Sequence, residues 1–464
     1  MSMSNVQAVI LAAGKSTRFG TGTTKQLAQL CGKEMVLYPV QAARQCGFHT
    51  TVVVGSQAQE VEKVVSSYDR AVQCVLQAEQ KGTGHALVCA KNLLDKEHVL
   101  VMNGDMPLIT QGLLEKVVAR HKEEKSSLTL CSMTLDNPGR YGRVIENSTG
   151  GYRVVEEQDC ETSEERSTKC VNVGLYVLKK DFLLNALSHL QASSKTGEVY
   201  ITDLVARAEQ NVTVYQIENV EGMGVNTLKE LSIVDAILQK RIKDFWMERG
   251  VRFFDPASTY IDENVFIGVG SIIERGVVLQ GETMIGARAV IQAYAVIRAS
   301  VIDDDAIIKS HSVIEKSRVE RSAKVGPFAR LRGEAHIGPQ TEIGNFVEVK
   351  KSFVSAGTKV KHLSYLGDAH IGFGTNIGAG TVTCNYDGKK KHTTTIGDHV
   401  MVGANSSLVA PVTLEDESYV AAGSTITKDV PAHALGIGRA RQENKEGWAR
   451  FSKKDHKKEV EKAA

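Results

Sequence analysis

The chain has 464 residues, of which 24% are charged and 42% are hydrophobic. This length predicts two or three domains, each large enough for a true hydrophobic core. The 56 basic and 54 acidic side chains leave a net charge of only +2, which argues against a nucleic-acid-binding protein.

Cysteine usage and hydropathy indicate a cytoplasmic protein that does not interact with membranes. None of the eight cysteines forms a CxxC pair, and seven of them fall in the first 170 residues, mostly in apolar stretches. This pattern is typical of reduced, packed thiols. The apolar run Val9–Ala13 is too short for a signal peptide. No stretch approaches the roughly 20 apolar residues that cross a bilayer.

Residues 1–226 alternate apolar runs with helical patterns, which predicts a Rossmann-like, doubly wound α/β domain. In such sheets ligands bind beyond the carboxyl ends of the strands. The predicted strands are Gln7–Ala12, Thr50–Val54, His98–Met102, Leu128–Met133 and Asn172–Leu178. The predicted helices are Met35–Cys46, Ala58–Ser67, Gly84–Leu94 and Ile109–Glu123.

A linker helix is predicted over residues 227–250. Apolar side chains recur at spacings of three and four, which is the period of one helix face. They are Leu231, Val234, Leu238, Ile242 and Phe245. Gly250 is a suitable end for this helix.

From Ile261 the chain follows a period of six, which is the signature of a hexapeptide β-helix and predicts such a domain over residues 251–438. The first series of aliphatic residues is Ile261, Ile267, Ile273, Leu279, Ile285, Ile291 and Ile297, and later series start at Ile302, Val319 and Ile396. One aliphatic residue per flat face would point inward, and small residues would turn the corners. We therefore predict about ten coils of parallel strands. In families that this repeat resembles the coils are left-handed, which implies a left-handed parallel β-helix here.

Two segments depart from this repeat. The basic stretch Cys384–Thr395 predicts a loop extruded from one coil, and its three lysines either form a solvated face or cover an anionic ligand. Residues 439–464 are highly charged and are predicted to form a mobile tail.

The clearest motif of the first domain is LAAGKSTRFG at Leu11–Gly20, followed by Lys25. Backbone N–H groups of such a turn can cradle phosphate, and the basic side chains can neutralise it. Neither a Walker A loop nor a dinucleotide fingerprint is present. The string resembles the LxAGxGTRxxxxxPK signature of sugar-nucleotide pyrophosphorylases, with Ser16 and Thr24 as departures. An ordinary strand–turn–helix with surface cations is the alternative.

Further strings resemble the uridylyltransferases that make UDP-N-acetylglucosamine: LQAEQKGTGHA at 76–86, NGDMPL at 103–108 and GVN at 224–226. Tyr141–Arg143, Val155–Glu156 and Asn172–Gly174 resemble the sugar-contacting segments of the same family. Asn103 and Val173 depart from the residues common in these strings and segments. The resemblance implies Mg²⁺ on Asp105 and Asn226, with Lys25 and Arg18 as catalytic residues. It implies nucleotide and sugar contacts at Leu11, Ala12, Ala13, Gly14, Lys25, Gln77, Gly82, Thr83, Gly142, Glu156, Asn172 and Asn226.

The β-helix half contains ARLRGEA at 329–335, KHLSYLGDAHIG at 361–372 and NIGAGTVTCNYDG at 376–388. These strings resemble the glucosamine-1-phosphate acetyltransferases, a likeness that implies His362 as general base. It implies glucosamine-1-phosphate contacts at Arg332, Lys350, Tyr365, Asn376 and Lys391. Acetyl-CoA, the co-substrate, would contact Ala379, Asn385, Tyr386, Ala404, Ala422 and Arg439, where Ala404 replaces a frequent serine.

The order of the two halves is similar to that of the bacterial bifunctional UDP-N-acetylglucosamine pyrophosphorylase and glucosamine-1-phosphate N-acetyltransferase family. The resemblance implies that glucosamine-1-phosphate is acetylated, and that the resulting N-acetylglucosamine-1-phosphate receives UMP from UTP for cell-wall precursor synthesis. It also implies a homotrimer. Two alternatives remain open: a pyrophosphorylase with a regulatory β-helix, and a non-enzymatic assembly protein.

Overall fold

The computed structural model describes residues 3–15, 19, 22, 24–148 and 150–448. The chain divides into two compact units, Met1–Phe245 with Ile261–Glu263, and Trp246–Tyr260 with Asn264–Ala464. Within the described ranges, no helix combines the length and the apolar composition required for a membrane crossing.

The first unit is a sheet covered by helices on both faces. Its strands are β1 (Val6–Ala12), β2 (Gln29–Leu30), β3 (Lys33–Glu34), β4 (His49–Val54), β5 (Gln73–Leu76), β6 (His98–Asn103), β7 (Leu128–Thr134), β8 (Arg143–Glu146), β9 (Tyr152–Val155), β10 (Cys170–Lys179) and β11 (Val212–Gln216). Its helices are α1 (Leu37–Gln45), α2 (Ala58–Tyr68), α3 (Thr83–Ala90), α4 (Gln111–Glu123), α5 (Ser163–Ser167), α6 (Lys180–Leu187) and α7 (Asp203–Arg207).

The main sheet has the order β11-β7-β10-β6-β1-β4-β5. All neighbours along this order are parallel except β10, which runs antiparallel to both β6 and β7. All seven residues of β1 are buried, because hydrophobic clusters cover both faces of the sheet. The predicted Rossmann-like α/β fold is confirmed.

Helix α8 (Leu228–Glu248) coincides with the predicted linker helix to within two residues at either end. Glu230 accepts hydrogen bonds from the backbone N–H groups of Asn226 (2.7 Å) and Thr227 (2.9 Å), while Thr227 Oγ1 accepts one from Glu230 N–H (3.2 Å). This reciprocal capping box fixes where the helix begins.

The second unit is a β-helix of very short strands. They are β12 (Arg252–Phe253), β13 (Tyr260–Ile261), β14 (Phe266–Ile267), β15 (Ile272–Ile273), β16 (Val278–Gln280), β17 (Met284–Ile285), β18 (Val290–Ile291), β19 (Val296–Arg298), β20 (Val301–Ile302), β21 (Ile307–Ile308), β22 (Val313–Glu315), β23 (Arg318–Val319), β24 (Lys324–Val325), β25 (Arg330–Arg332), β26 (His336–Ile337), β27 (Glu342–Asn345), β28 (Glu348–Lys350), β29 (Phe353–Val354), β30 (Lys359–His362), β31 (Tyr365–Gly367), β32 (Ala369–Ile371), β33 (Asn376–Ile377), β34 (Val382–Cys384), β35 (Thr394–Ile396), β36 (Met401–Val402), β37 (Ser407–Val409), β38 (Val412–Leu414), β39 (Tyr419–Val420), β40 (Thr425–Ile426) and β41 (Leu435–Gly436).

Every third strand joins the same parallel sheet up to β40, and β41 then pairs with β39, giving a prism with three faces. Face one runs from β12 through β15 and β18 to β41, face two from β13 to β40, and face three from β14 to β38. Ile273 pairs with Ile291, Ile291 with Ile308, and Ile308 with Val325, so the six-residue period becomes columns of buried aliphatic side chains. The predicted left-handed β-helix is confirmed.

Close stacking of the coils explains the glycines that follow the inward residues. A Cβ atom on Gly344 would lie only 1.9 Å from the Lys361 carbonyl oxygen in the next coil. Only glycine allows the two backbones to approach so closely at this corner.

Candidate active sites

The first candidate site is a cavity of about 520 Å³ at the carboxyl ends of strands β1, β5 and β6. This is where ligands bind in open α/β sheets. Its walls consist of Leu11, Ala13, Gly14, Lys15, Lys25, Gln26, Gln77, Gln80, Gly82, Thr83, Ala86, Asn103, Asp105, Glu198, Tyr200 and Asn226.

A polar triad lies in this cavity. The Lys25 ammonium contacts the Asp105 carboxylate and lies 2.8 Å from Asn226 Oδ1. The Lys25 and Asp105 side chains are only 13% and 14% exposed. Two side-chain oxygen atoms from distant parts of the chain thus contact the same ammonium group.

Backbone hydrogen bonds hold Asp105 and Asn226 in place. Val225 N–H donates to the Asp105 carbonyl (2.9 Å), which joins the turn after β6 to the segment before α8. The capping box of α8 holds the Asn226 backbone through Glu230 (2.7 Å). The triad is therefore positioned before any ligand arrives.

A second group of predicted contacts lies at the start of α3. Gln77 is buried, and its amide lies 3.1 Å from the Gly82 carbonyl and 3.0 Å from His85 Nδ1. Thr83 Oγ1 accepts a hydrogen bond from Ile201 N–H (3.1 Å). Gly82 has a φ of +97°, and a Cβ there would lie 2.5 Å from the Val199 carbonyl, so glycine is required.

Gly142, Glu156 and Asn172 form a neighbouring cluster outside the residues that line the cavity. Asn172 N–H donates to the Gly142 carbonyl (2.8 Å), and a Cβ on Gly142 would lie 3.3 Å from Glu156 Oε2. Burial raises the pKa of Glu156, although Thr202 Oγ1 donates a hydrogen bond to it (3.1 Å). These three predicted sugar contacts therefore lie together.

Most of the predicted nucleotide residues line one cavity, although two do not. Ala12 is fully buried inside β1, and Arg18 lies outside the described residues. Three lining residues lie outside every motif identified in the sequence: Gln26, Glu198 and Tyr200. Glu198 and Tyr200 belong to a segment without helix or strand periodicity, so nothing in the local sequence pattern marked them.

The second candidate site lies on the corner between faces one and two of the β-helix. His362, Ala379, Ala404 and Ala422 occupy successive coils, each two residues after an inward aliphatic residue. Those aliphatic residues pair in register, Val360 with Ile377, then Val402, then Val420. The predicted base and three predicted acetyl-CoA contacts therefore form one column, which we call the His362 column.

Cationic side chains lie on face two and in the basic loop that follows strand β34 of that face. Arg332 pairs in register with Lys350, and its guanidinium contacts Glu348 (2.6 Å). Tyr365 follows on the next coil, paired with Glu348. The pKa of Lys391 is lowered because its ammonium lies against that of Lys350. Adjacent like charges of this kind favour binding of an anion.

Asn376 and Arg439 lie apart from these cations in the single chain. Asn376 is on face one, where its amide contacts Met401 Sδ (3.1 Å). Arg439 is exposed beside Gly423, near the end of the described residues.

The extruded basic loop is held by hydrogen bonds within itself. Asp387 Oδ1 accepts from the backbone N–H groups of Lys389 and Lys390 (2.7 Å each), and Asp387 Oδ2 lies 2.8 Å from His392 Nε2. These contacts hold the pKa of Asp387 well below its usual range. At the start of the loop, Asn385 is buried and donates to Asp368 (2.5 Å).

Comparison with known proteins agrees with this geometry. Residues 8–145 match the MobA-like NTP transferase domain, and residues 393–428 match the hexapeptide repeat of succinyl-transferase. The chain is 41% identical to the bifunctional protein GlmU of Alkaliphilus metalliredigens, covering 96% of this chain and 98% of that protein. It is 42% identical to that of Clostridium tetani (97% and 99%) and 40% identical to that of Thermotoga petrophila (97% and 100%).

Fold and sites define a nucleotidyltransferase domain joined to a hexapeptide-repeat acyltransferase domain. The chain belongs to the family of bifunctional GlmU proteins. The predicted bifunctional enzyme, a uridylyltransferase and an acetyltransferase in one chain, is confirmed, and the two alternatives are set aside.

Proposed function

We propose that the cavity of the first unit binds UTP and N-acetylglucosamine-1-phosphate and transfers UMP between them. The observation that carries this proposal is the convergence of Lys25, Asp105 and Asn226 in that cavity. The sugar phosphate oxygen would attack the α-phosphorus of UTP, the bond to the β-phosphate would break, and pyrophosphate would leave. Lys25 and Arg18 would stabilise the charge that develops on the phosphates.

The donor set of this cavity suits Mg²⁺. Carboxylate and amide oxygens are hard ligands, and Mg²⁺ takes few of them from protein because substrate phosphates and water complete its shell. We propose that Asp105 and Asn226 hold the ion, which when bound neutralises phosphate charge. Gln77 would read the uracil, while Gly142, Glu156 and Asn172 would contact the sugar.

For the second unit we propose that His362 removes a proton from the amine of glucosamine-1-phosphate. The amine nitrogen then forms a bond to the thioester carbon of acetyl-CoA, and the bond to sulfur breaks. Asn385 would stabilise the oxyanion. Arg332, Lys350 and Lys391 would hold the phosphate, which would relieve the repulsion between the two lysines. Ala379, Ala404 and Ala422 would give the coenzyme a smooth groove.

We further propose that the active form is a homotrimer. A stack of exposed rings follows the corner between faces one and two, formed by Tyr294, His311, Phe328 and Phe346 at centroid separations of 5.1, 4.9 and 5.4 Å. Phe328 and Phe346 are 48% and 57% exposed. A continuous apolar edge of this kind is typical of an interface. It leads to Leu363, directly beside His362, so packing copies on this edge would complete the acetyltransferase site.

Phe328→Asn/Phe346→Asn is expected to dissociate the trimer to monomers, because it removes the centre of the proposed apolar contact. Asparagine tolerates the positive φ of 54–56° at both positions. Light scattering after size-exclusion chromatography measures the change. Phe373→Asn, which replaces an equally exposed ring (49%) at another corner, is the matched control and should remain trimeric. A trimeric double variant would contradict this interface.

We propose four segments: a nucleotidyltransferase domain (1–226), a linker helix (227–250), a β-helix acetyltransferase domain (251–438) and a charged tail (439–464). Helix α8 fills the linker range and supports these boundaries. Residues 449–464 of the predicted mobile tail lie outside the described residues. We also propose a cytoplasmic enzyme, in accord with the eight cysteines, which are free thiols.

The test of the proposed function is one coupled assay. The protein is mixed with glucosamine-1-phosphate, acetyl-CoA, UTP and Mg²⁺, and the products are identified by mass spectrometry. The wild type should produce UDP-N-acetylglucosamine, whereas Asp105→Ala should stop at N-acetylglucosamine-1-phosphate. Asp159→Ala, at a carboxylate outside the cavity lining, should behave as the wild type. Full UDP-sugar production by Asp105→Ala would overturn the assignment of the nucleotide site.

A further inference from the structure

The Lys25 side chain, a cation of the chain itself, occupies the proposed metal position. The Lys25 ammonium contacts the Asp105 carboxylate and lies 2.8 Å from Asn226 Oδ1, the two oxygens that we assign to Mg²⁺. Both charged side chains are nearly buried, so solvent screens their interaction less than on an open surface.

The same position cannot hold both cations. A divalent ion bound to these oxygens would lie within a few ångströms of the ammonium, and like charges at that separation repel strongly in a partly buried site. Lys25 would therefore have to leave before a metal ion could bind. Moving the lysine away from Asp105 would break this ion pair.

A nucleotide removes this obstacle. Lys25, Lys15 and Gly14 line the same cavity, so a triphosphate bound there offers the ammonium new oxygen partners. The arriving phosphates also supply the oxygen ligands that Mg²⁺ requires beyond two protein donors. Nucleotide binding would thus draw the lysine away from Asp105 and supply the remaining metal ligands in one event.

We propose that Lys25 acts as a resident counter-ion that competes for the metal position of the free enzyme, so that the divalent cation binds tightly only together with UTP. This inference rests on the proposed function of the cavity. Its consequence is positive coupling between metal and nucleotide, and a free enzyme that keeps Asp105 and Asn226 in place without a metal ion.

The test uses Mn²⁺ as the probe, because its electron paramagnetic resonance signal reports free ion in solution directly. Free wild-type enzyme should bind Mn²⁺ weakly, and UTP should strengthen the binding. Free Lys25→Met should bind Mn²⁺ about tenfold or more tightly than the free wild type, because the competing charge is gone. Lys25→Arg, which keeps the charge, should bind weakly again.

Lys15→Met is the matched control, since it removes another lysine from the same cavity without touching the triad. Free Lys15→Met should bind Mn²⁺ like the free wild type. Adding Asp105→Ala to Lys25→Met should abolish the tight binding, which places the ion at this position. Circular dichroism verifies that each variant is folded, and Lys25→Gln repeats the measurement with a polar side chain.

Equal Mn²⁺ affinity of free wild type and both neutral variants, Lys25→Met and Lys25→Gln, would overturn the inference, whether that affinity is high or low. If instead Asp105→Ala left Mn²⁺ binding to the UTP complex unchanged, the proposed metal site itself would be wrong. The two failures are therefore distinguishable in one titration series.

Discussion

His362→Ala is expected to lose about 10²–10⁴-fold in the rate of acetyl transfer, because no other group of the His362 column can accept the proton of the amine. Uridylyl transfer to added N-acetylglucosamine-1-phosphate should be unchanged, since that cavity belongs to the other unit. Release of free CoA measures the first rate, and release of pyrophosphate measures the second.

A matched control for His362 lies on the same coil. His370 is also an exposed histidine, but it lies on face three, away from the His362 column. His370→Ala should retain acetyl transfer. Both side chains are exposed, so neither substitution creates a cavity in the core. If His362→Ala released CoA at the wild-type rate, His362 would not be the base.

The first unit is expected to lose about 2–3 kcal/mol of unfolding free energy through His121 between pH 7 and pH 4.5. His121 is fully buried on α4, 2.9 Å from Thr129 Oγ1, with its ring edge-on to His98 (5.2 Å). Burial, and secondarily the neighbouring His98, lower its pKa from 6.5 to about 3. The folded state thus keeps His121 neutral, whereas the unfolded chain takes up a proton below pH 6.5, so stability falls with pH.

Urea unfolding followed by circular dichroism at 222 nm measures this acid sensitivity, since helices α1 to α7 all lie in the first unit. His121→Asn is expected to be less stable at pH 7, because its smaller side chain leaves a cavity, yet to lose less stability on acidification. His189→Asn, at an exposed histidine, should lose as much as the wild type. An unchanged acid loss in His121→Asn would disprove the assignment.

Short elements of the first unit escaped sequence analysis. Strands β8 and β9 form a hairpin whose residues are mostly half-buried, so their side chains show no clear alternation of apolar and polar character. Helices α5 and α7 have only five residues each, too few to establish a helical period. The predicted strands, in contrast, are largely apolar runs, and the predicted helices are long enough to show a helical period. Their observed bounds differ by only a few residues.

Some residues of the nucleotide site could likewise be predicted from the sequence, and others could not. Asp105 was predictable, because a carboxylate directly after a buried strand must lie at the edge of the sheet. Glu198 and Tyr200 were not, because the cavity acquires them from an irregular segment that other loops hold in place. The sequence pattern also left two roles open for the basic loop, a solvated surface or a cover over an anionic ligand. The choice between them depends on which residues lie near the loop in space.

The sequence by itself determined the β-helix, because its core is a local repeat: every sixth residue meets an equivalent residue one coil away. It also determined the strand-and-helix alternation of the first domain and the resemblance that identifies both activities. Only the tertiary structure decided that Lys25 occupies the position between Asp105 and Asn226. These residues are separated by 80 and 201 positions in the chain, and their distances depend on how the turn after β6 and the start of α8 pack together, which no local period encodes.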